Sequence, residues 1–126
     1  MEIAEGQDVV QVRQRAREKA QAAGFTLTEV TKIVTAASEL ARNTLEHGGG
    51  GWAEVGVVAT GVRRGVRMVF HDEGPGIADV DQALRDGFTT GGGLGLGLGG
   101  SRRLLSELTI DSVPGRGTTI VAVRWK

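Results

Sequence analysis

The chain has 126 residues, of which 40% are hydrophobic and 21 are glycine, and its 15 basic side chains balance its 15 acidic ones. Zero net charge without a long basic run argues against nucleic acid as a partner, and the absence of cysteine excludes disulfides and thiolate metal sites. Because no apolar run is long enough to cross a bilayer, we expect no membrane association and a cytoplasmic protein that folds as one domain over residues 1–126.

The first part of the chain predicts one short strand and two helices. We expect the strand within residues 1–6, followed by a helix whose apolar positions recur at helical spacing up to Gly24. Thr26 or Thr28 can cap a second helix, which the glycines at 48–51 end. Its predicted buried face consists of Val30, Ile33, Val34, Ala37, Leu40, Ala41, Thr44 and Leu45.

The second part of the chain predicts mainly strands. The expected elements are strands at 52–60 and 65–72, a short helix at 79–85, a helix that follows the glycine-rich run, and strands at 108–113 and 118–125. The last two strands flank a turn at 114–117. This order predicts an α+β fold, a two-layer α/β sandwich with its helices on one face of a mixed, mostly antiparallel sheet.

The second helix carries polar residues at the spacing of one helical turn. Glu39 and Asn43 fall on the side opposite its apolar stripe, and His47 follows one further turn on. A carboxylate and a carboxamide at this spacing can address one ligand, because the amide oxygen suits Mg²⁺ and the carboxylate can accept a proton from a hydroxyl. A solvated polar face is the alternative interpretation, and the helix alone leaves both open.

A second group of polar residues follows the strand that ends at Asp72. An aspartate at a strand end can accept a hydrogen bond from an amino group such as adenine N6, and Gly74 and Gly76 allow a tight turn against a flat ring. A simple Asp/Gly/Pro turn is the alternative. His71 precedes the aspartate on the strand and should point to the other face, so we interpret it as structural.

Seven of the ten residues at 91–100 are glycine. Glycine lets backbone N–H groups approach a bulky anion, so the run can cradle phosphates, whereas a flexible loop is the alternative. The interspersed leucines favour an ordered element over a linker. A dinucleotide fingerprint fits poorly, because the run lies late in the chain and no acidic residue follows at a strand end about 20 positions on. A P-loop is excluded by the absence of Gly-Lys-Ser/Thr.

Taken together, these motifs resemble the nucleotide-binding boxes of the GHKL (Bergerat-fold) ATPases. Residues 39–48 are similar to the N box, 72–76 to the G1 box and 93–98 to the G2 box, while 117–118 match the last glycine/threonine element. The motifs follow the order of the family over essentially the whole chain. The resemblance implies the Bergerat fold and ATP with Mg²⁺ as cofactors.

Within that family the chain resembles the small bacterial serine/threonine kinases of partner-switching pathways. The likeness is carried by residues 38–43 and 86–90 and by the ending at Trp125, which are similar to the switch kinases of the stressosome and, less closely, to the anti-sigma-factor kinases. It implies a kinase whose substrate is a STAS-domain antagonist protein. Histidine kinases share the nucleotide boxes but need a phosphoaccepting helical hairpin, for which this chain has no room.

The resemblance also implies roles for individual residues. Glu39 would be the general base, and Asn43 would hold Mg²⁺ against the phosphates. Asp72 would bind the adenine amino group, with Gly76 backing the ring and Thr118 assisting through water. The other residues expected to contact the nucleotide are Gly74, Ile77, Thr90, Gly91, Gly92, Gly93, Leu94, Gly95, Leu96, Gly97 and Leu98.

Two further functions stay open alongside the kinase. In the first, ATP only sets the shape of a binding switch that sequesters a sigma factor or activates a phosphatase. In the second, the domain binds nucleotide without transferring phosphate. Glu39 argues against the second, because binding alone needs no general base.

Overall fold

The computed structural model describes residues 1–77, 79–80, 84, 89–90, 94–95 and 98–126. The helices described are α1 (Gly6–Ala22), α2 (Leu27–Glu46) and α3 (Leu98–Leu104). The strands are β1 (Glu2–Ile3), β2 (Gly51–Thr60), β3 (Arg63–Asp72), β4 (Thr89–Thr90), β5 (Leu94–Gly95), β6 (Glu107–Val113) and β7 (Gly117–Trp125).

Five of these strands form one sheet in the order β1-β2-β3-β7-β6, and each neighbouring pair is antiparallel. β4 and β5 form a separate two-stranded ladder. The predicted α+β sandwich is therefore confirmed. Within the described strands its sheet is antiparallel throughout, not mixed.

Local sequence signals account for the starts of the two long helices. At the start of α1, the Asp8 carboxylate accepts the backbone N–H groups of Ala4 and Glu5 at 2.8 and 3.0 Å. α2 is capped by Thr26, whose hydroxyl accepts the Glu29 backbone N–H at 3.3 Å. Of the two predicted caps, Thr26 is thus the one used. No helix in the described ranges is long and apolar enough to cross a membrane.

The core lies between the helices and one face of the sheet. Along the strands, alternate residues face the helices, and the most buried of them lie on β2, β3 and β7. The completely or almost completely buried apolar residues on this face are Ala53, Val66, Met68, Phe70, Ile120 and Ala122. On the outer face, Trp52, Glu54 and Arg67 are exposed, which places the helices on one face as predicted.

The structure differs from the sequence prediction at a few boundaries. β1 covers only Glu2–Ile3, because Ala4 and Glu5 already give their N–H groups to the Asp8 cap. The predicted helix at 79–85 lies largely outside the described residues. Within it, the Leu84 backbone N–H donates to the Val80 carbonyl at 3.0 Å. The four-residue separation is that of an α-helical hydrogen bond.

Candidate nucleotide-binding site

A row of residues crosses four strands at one end of the sheet, on the face that carries the helices. Strand register pairs Gly51 with Asp72, Asp72 with Thr118, and Thr118 with Ser112. Asp72 and Thr118 are only 3% and 2% exposed. Two residues predicted to share the adenine end of the site are therefore direct neighbours, although they are far apart in sequence.

The loop after β3 turns tightly around the Asp72 carboxylate. Its Oδ1 accepts the Gly74 backbone N–H at 2.9 Å, so the aspartate stabilises the turn that follows it. Gly76 has a φ of +76°, and a side chain there would place its Cβ 2.6 Å from the Val113 carbonyl oxygen. The conformation and the close approach both require glycine at this position.

The α2 residues of the site differ sharply in exposure. The Glu39 side chain is 39% exposed, and its carboxylate lies 3.5 Å from the Arg42 guanidinium. Asn43, one turn further on, is only 6% exposed. The interpretation of a solvated polar face opposite the apolar stripe is therefore wrong for Asn43. Burial of α2 extends beyond that stripe, since Ala36, which is not part of it, is also completely buried.

The Asn43 amide is buried without a hydrogen bond to any residue that the structure describes. Among those residues, neither Oδ1 nor Nδ2 has a partner. A buried amide left in this state costs about 1–3 kcal/mol per unsatisfied group, so a native site of this kind usually has a ligand to satisfy it. An amide oxygen is a suitable ligand for Mg²⁺, and the amide nitrogen can donate to a phosphate oxygen. Asn43 thus fits the group that the resemblance implies.

Ser112 is a site residue that the sequence prediction missed. Its hydroxyl lies 3.1 Å from the Thr118 hydroxyl and accepts the Ile77 backbone N–H at 2.6 Å. The register could have revealed it, because a turn that pairs Val113 with Gly117 necessarily sets Ser112 opposite Thr118.

The two histidines lie in different places. His47 follows the last residue of α2, and its Nε2 lies 3.1 Å from the Gly76 carbonyl oxygen, so it reaches the loop after β3. His71 lies on the outer face of the sheet, with Nδ1 2.7 Å from the Thr119 hydroxyl and its ring 5.4 Å from that of Trp52. This placement agrees with the structural role expected for His71.

The glycine-rich run is described only in part. Gly91, Gly92, Gly93, Leu96 and Gly97 lie outside the described residues.

The described parts of the run flank these positions. Thr90 pairs with Leu94, and Thr89 with Gly95, in the β4–β5 ladder. Leu98 begins α3 and is completely buried. The predicted helix at the end of the run is confirmed by α3.

This arrangement of motifs matches a known family. Residues 28–126 match the model of the histidine kinase-, DNA gyrase B- and HSP90-like ATPases. The chain belongs to this family. The matched residues include all of α2 except its first residue, the loop after β3, and the C-terminal hairpin. The resemblance to the GHKL ATPases is therefore confirmed. ATP is the nucleotide that this family uses.

Two relatives narrow the position within the family. The serine/threonine-protein kinase RsbT of Bacillus subtilis is 42% identical over 118 residues, which cover 94% of this chain and 89% of RsbT. The anti-sigma F factor of the same organism is 36% identical over 100 residues, which cover 75% of this chain and 68% of the factor. The similarity to RsbT over nearly the whole of both chains confirms the predicted enzyme class, a protein serine/threonine kinase.

Solved structures of the family share the fold at low sequence identity. The catalytic domain of histidine kinase ThkA superposes with a TM-score of 0.59 at 18% identity, covering all of this chain and 97% of that domain. The mycobacterial sensor histidine kinase MprB gives a TM-score of 0.60 at 17% identity, covering 92% of this chain and 93% of that structure. At these identities the likeness supports the fold alone.

Proposed function

We propose that the chain, as one domain over residues 1–126, uses ATP and Mg²⁺ to phosphorylate a serine or threonine of a STAS-domain antagonist in a bacterial partner-switching pathway of the cytoplasm. The observation that carries the proposal is the pair on α2. The accessible carboxylate of Glu39 lies one turn from the buried amide of Asn43, which has no hydrogen-bond partner in the part of the chain that the structure describes. A domain that only bound nucleotide would need the second residue but not the first.

The two residues have the exposures that their proposed roles require. A general base must reach the hydroxyl of a second protein, which calls for an accessible carboxylate such as that of Glu39. Mg²⁺ bound beside the phosphates would neutralise charge that develops as the phosphoryl group moves. Asn43 would hold that ion, and its burial keeps the amide oxygen away from competing water.

The remaining residues bind and orient the nucleotide in this proposal. Asp72 accepts a hydrogen bond from the adenine amino group, and Thr118 lies beside Asp72 on the neighbouring strand. Gly76 forms the wall on which the ring rests. The glycine-rich residues 91–97 donate backbone N–H groups to the phosphates. In the transfer itself, Glu39 accepts the hydroxyl proton, the hydroxyl oxygen bonds to the γ-phosphorus, and ADP leaves.

The test is transfer of label from γ-labelled ATP, with Mg²⁺, to a STAS-domain protein encoded beside this chain. We expect label on a serine or threonine of that protein, and no label when Glu39→Gln replaces the wild-type chain. Tight binding of ATP without any transfer of label would overturn the proposed kinase activity. Equal transfer by wild type and Glu39→Gln would overturn the role of Glu39 while leaving the kinase in place.

A second candidate function is a nucleotide-gated binding switch. The similarity to anti-sigma F factors over 75% of this chain favours it, because those relatives are named for their action on a sigma factor. In this case the partner would be a sigma factor or a phosphatase, and ATP would set the affinity for it. Capture of a sigma factor that depends on nucleotide, in the absence of label transfer, would support the switch over the kinase.

A further inference from the structure

One peptide group beside the candidate site is bonded on both sides by side chains from different elements. It joins Gly76 to Ile77 in the loop after β3. Its carbonyl oxygen lies 3.1 Å from His47 Nε2, and its N–H donates to the Ser112 hydroxyl at 2.6 Å. Because a carbonyl oxygen can only accept, Nε2 must be the nitrogen that carries the hydrogen.

The same loop also lies against the β6–β7 hairpin. The Pro75 carbonyl accepts the Gly115 backbone N–H at 2.7 Å. A Cβ at Gly76 would meet the Val113 carbonyl oxygen, so the two backbones are in close contact. His47 supplies the opposing hydrogen bond, from the helix. The peptide group therefore has its orientation set by two elements that are separate in the fold.

His47 directly follows α2, the helix that carries the other end of the site. Asn43 lies one turn before His47, and the His47 backbone N–H donates to the Asn43 carbonyl at 3.0 Å. One hydrogen-bonded turn at the end of α2 and the His47 side chain thus connect the proposed magnesium ligand to the loop that contains Gly76.

We propose that His47 and Ser112 are positioning residues for the nucleotide: together they hold the Gly76–Ile77 peptide group so that Gly76 and Asp72 face the adenine ring. This inference rests on the proposed function, which assigns Gly76 and Asp72 to the adenine. Neither His47 nor Ser112 takes part in the transfer of phosphate. Losing either bond therefore weakens the binding of ATP and ADP and leaves the turnover rate at saturating ATP unchanged.

The first experiment compares His47→Ala with His47→Gln. The Gln amide nitrogen can reach the place of Nε2 and donate to the Gly76 carbonyl, whereas Ala has no donor. We expect Ala to raise the Kd of ATP and ADP and the KM for ATP by about three- to tenfold, the effect of one hydrogen bond, with kcat unchanged. Gln should restore most of the affinity, and Ser112→Ala should act like His47→Ala.

His71→Ala is the matched control, because His71 is the other histidine of the chain and bonds Thr119 on the outer face. It should leave the nucleotide Kd unchanged. If His47→Ala also leaves the Kd unchanged while label transfer persists, the inference is overturned and the kinase stands. If Ala and Gln weaken binding equally, His47 does not act through its hydrogen bond, and the inference is likewise overturned.

Hydrogen exchange in nucleotide-free protein gives a second readout that does not need catalysis. The Ile77 amide should exchange about three- to tenfold faster in His47→Ala than in wild type, since its peptide group has lost one of two partners. His71→Ala should leave that amide unchanged, and an unchanged amide in His47→Ala would overturn the inference. If the wild-type protein binds ATP but transfers no label, the proposed kinase activity is refuted. The positioning role of His47 and Ser112 is not, because it concerns the binding of nucleotide.

Discussion

The backbone of Gly48 lies directly against the carboxyl group of Asp72, so that a methyl group on Gly48 would stand 2.3 Å from the Asp72 Cγ. This distance is far shorter than any carbon–carbon contact, and the aspartate would have to move. We predict that Gly48→Ala lowers the free energy of unfolding by about 1–3 kcal/mol and weakens ATP binding by about tenfold or more. Equilibrium unfolding and nucleotide titration measure the two effects.

The matched control for this substitution is Gly56→Ala. Gly56 lies in the middle of β2, and no described residue comes within 4 Å of a Cβ built there. The control should therefore keep the affinity of the wild type for ATP. If Gly48→Ala binds ATP as tightly as Gly56→Ala does, the Asp72 carboxylate is not part of the nucleotide site.

Asp72→Asn tests the proposed adenine contact directly. The Asn Oδ1 can still accept the Gly74 N–H, so the turn is retained, while the charge that would bind the adenine amino group is lost. We predict that ATP affinity falls by about ten- to a hundredfold, the range for a hydrogen bond to a charged group. Asp111→Asn, on an exposed aspartate of β6, should have no effect on binding. Unchanged affinity in Asp72→Asn would refute the contact.

The part of the site that lies on the strands could be predicted from the sequence, because strand alternation and turn residues are local signals. The turn at 114–117 sets the register of β6 and β7, and the end of β3 follows from its apolar alternation. These local signals place Asp72 and Thr118 correctly at one end of the sheet. Ser112 was within reach of the same reasoning, because its place opposite Thr118 depends only on the hairpin.

The burial of Asn43 and the contact of His47 could not be predicted in this way. A helical wheel assigns one buried face to α2, but α1, α3 and the sheet all contact this helix, and the residues of α3 come from a distant part of the sequence. The bond from His47 to the Gly76 carbonyl likewise joins two elements whose approach depends on the whole fold. Periodicity describes a helix by itself and contains no information about which neighbours enclose it.

Glu39→Gln separates catalysis from binding. The substitution keeps the size of the side chain and removes its capacity to accept a proton, so we predict that label transfer falls by about a hundredfold or more while ATP affinity is retained. The carboxylate also pairs with Arg42 at the surface, at 3.5 Å. Arg42→Ala is the control, since an exposed pair of this kind contributes little to stability. Retained transfer in Glu39→Gln would refute the general base.

Asn43→Ala should make the nucleotide-free protein more stable and a worse enzyme. The substitution removes a buried amide that has no hydrogen-bond partner, which we expect to raise the free energy of unfolding by about 1–3 kcal/mol in urea titrations without nucleotide. Part of any gain comes from the higher helix propensity of alanine. Thr35→Ala, at an exposed position of the same helix, measures that part alone.

Asn43→Ala should raise the free energy of unfolding by more than Thr35→Ala does. Binding of ATP with Mg²⁺ should be lost only in Asn43→Ala. This combination is expected where a residue is retained for its ligand at a cost in stability. If Asn43→Ala instead destabilises the protein and binds ATP normally, the amide serves the folded structure. The proposed magnesium ligand would then have to be sought elsewhere in the chain.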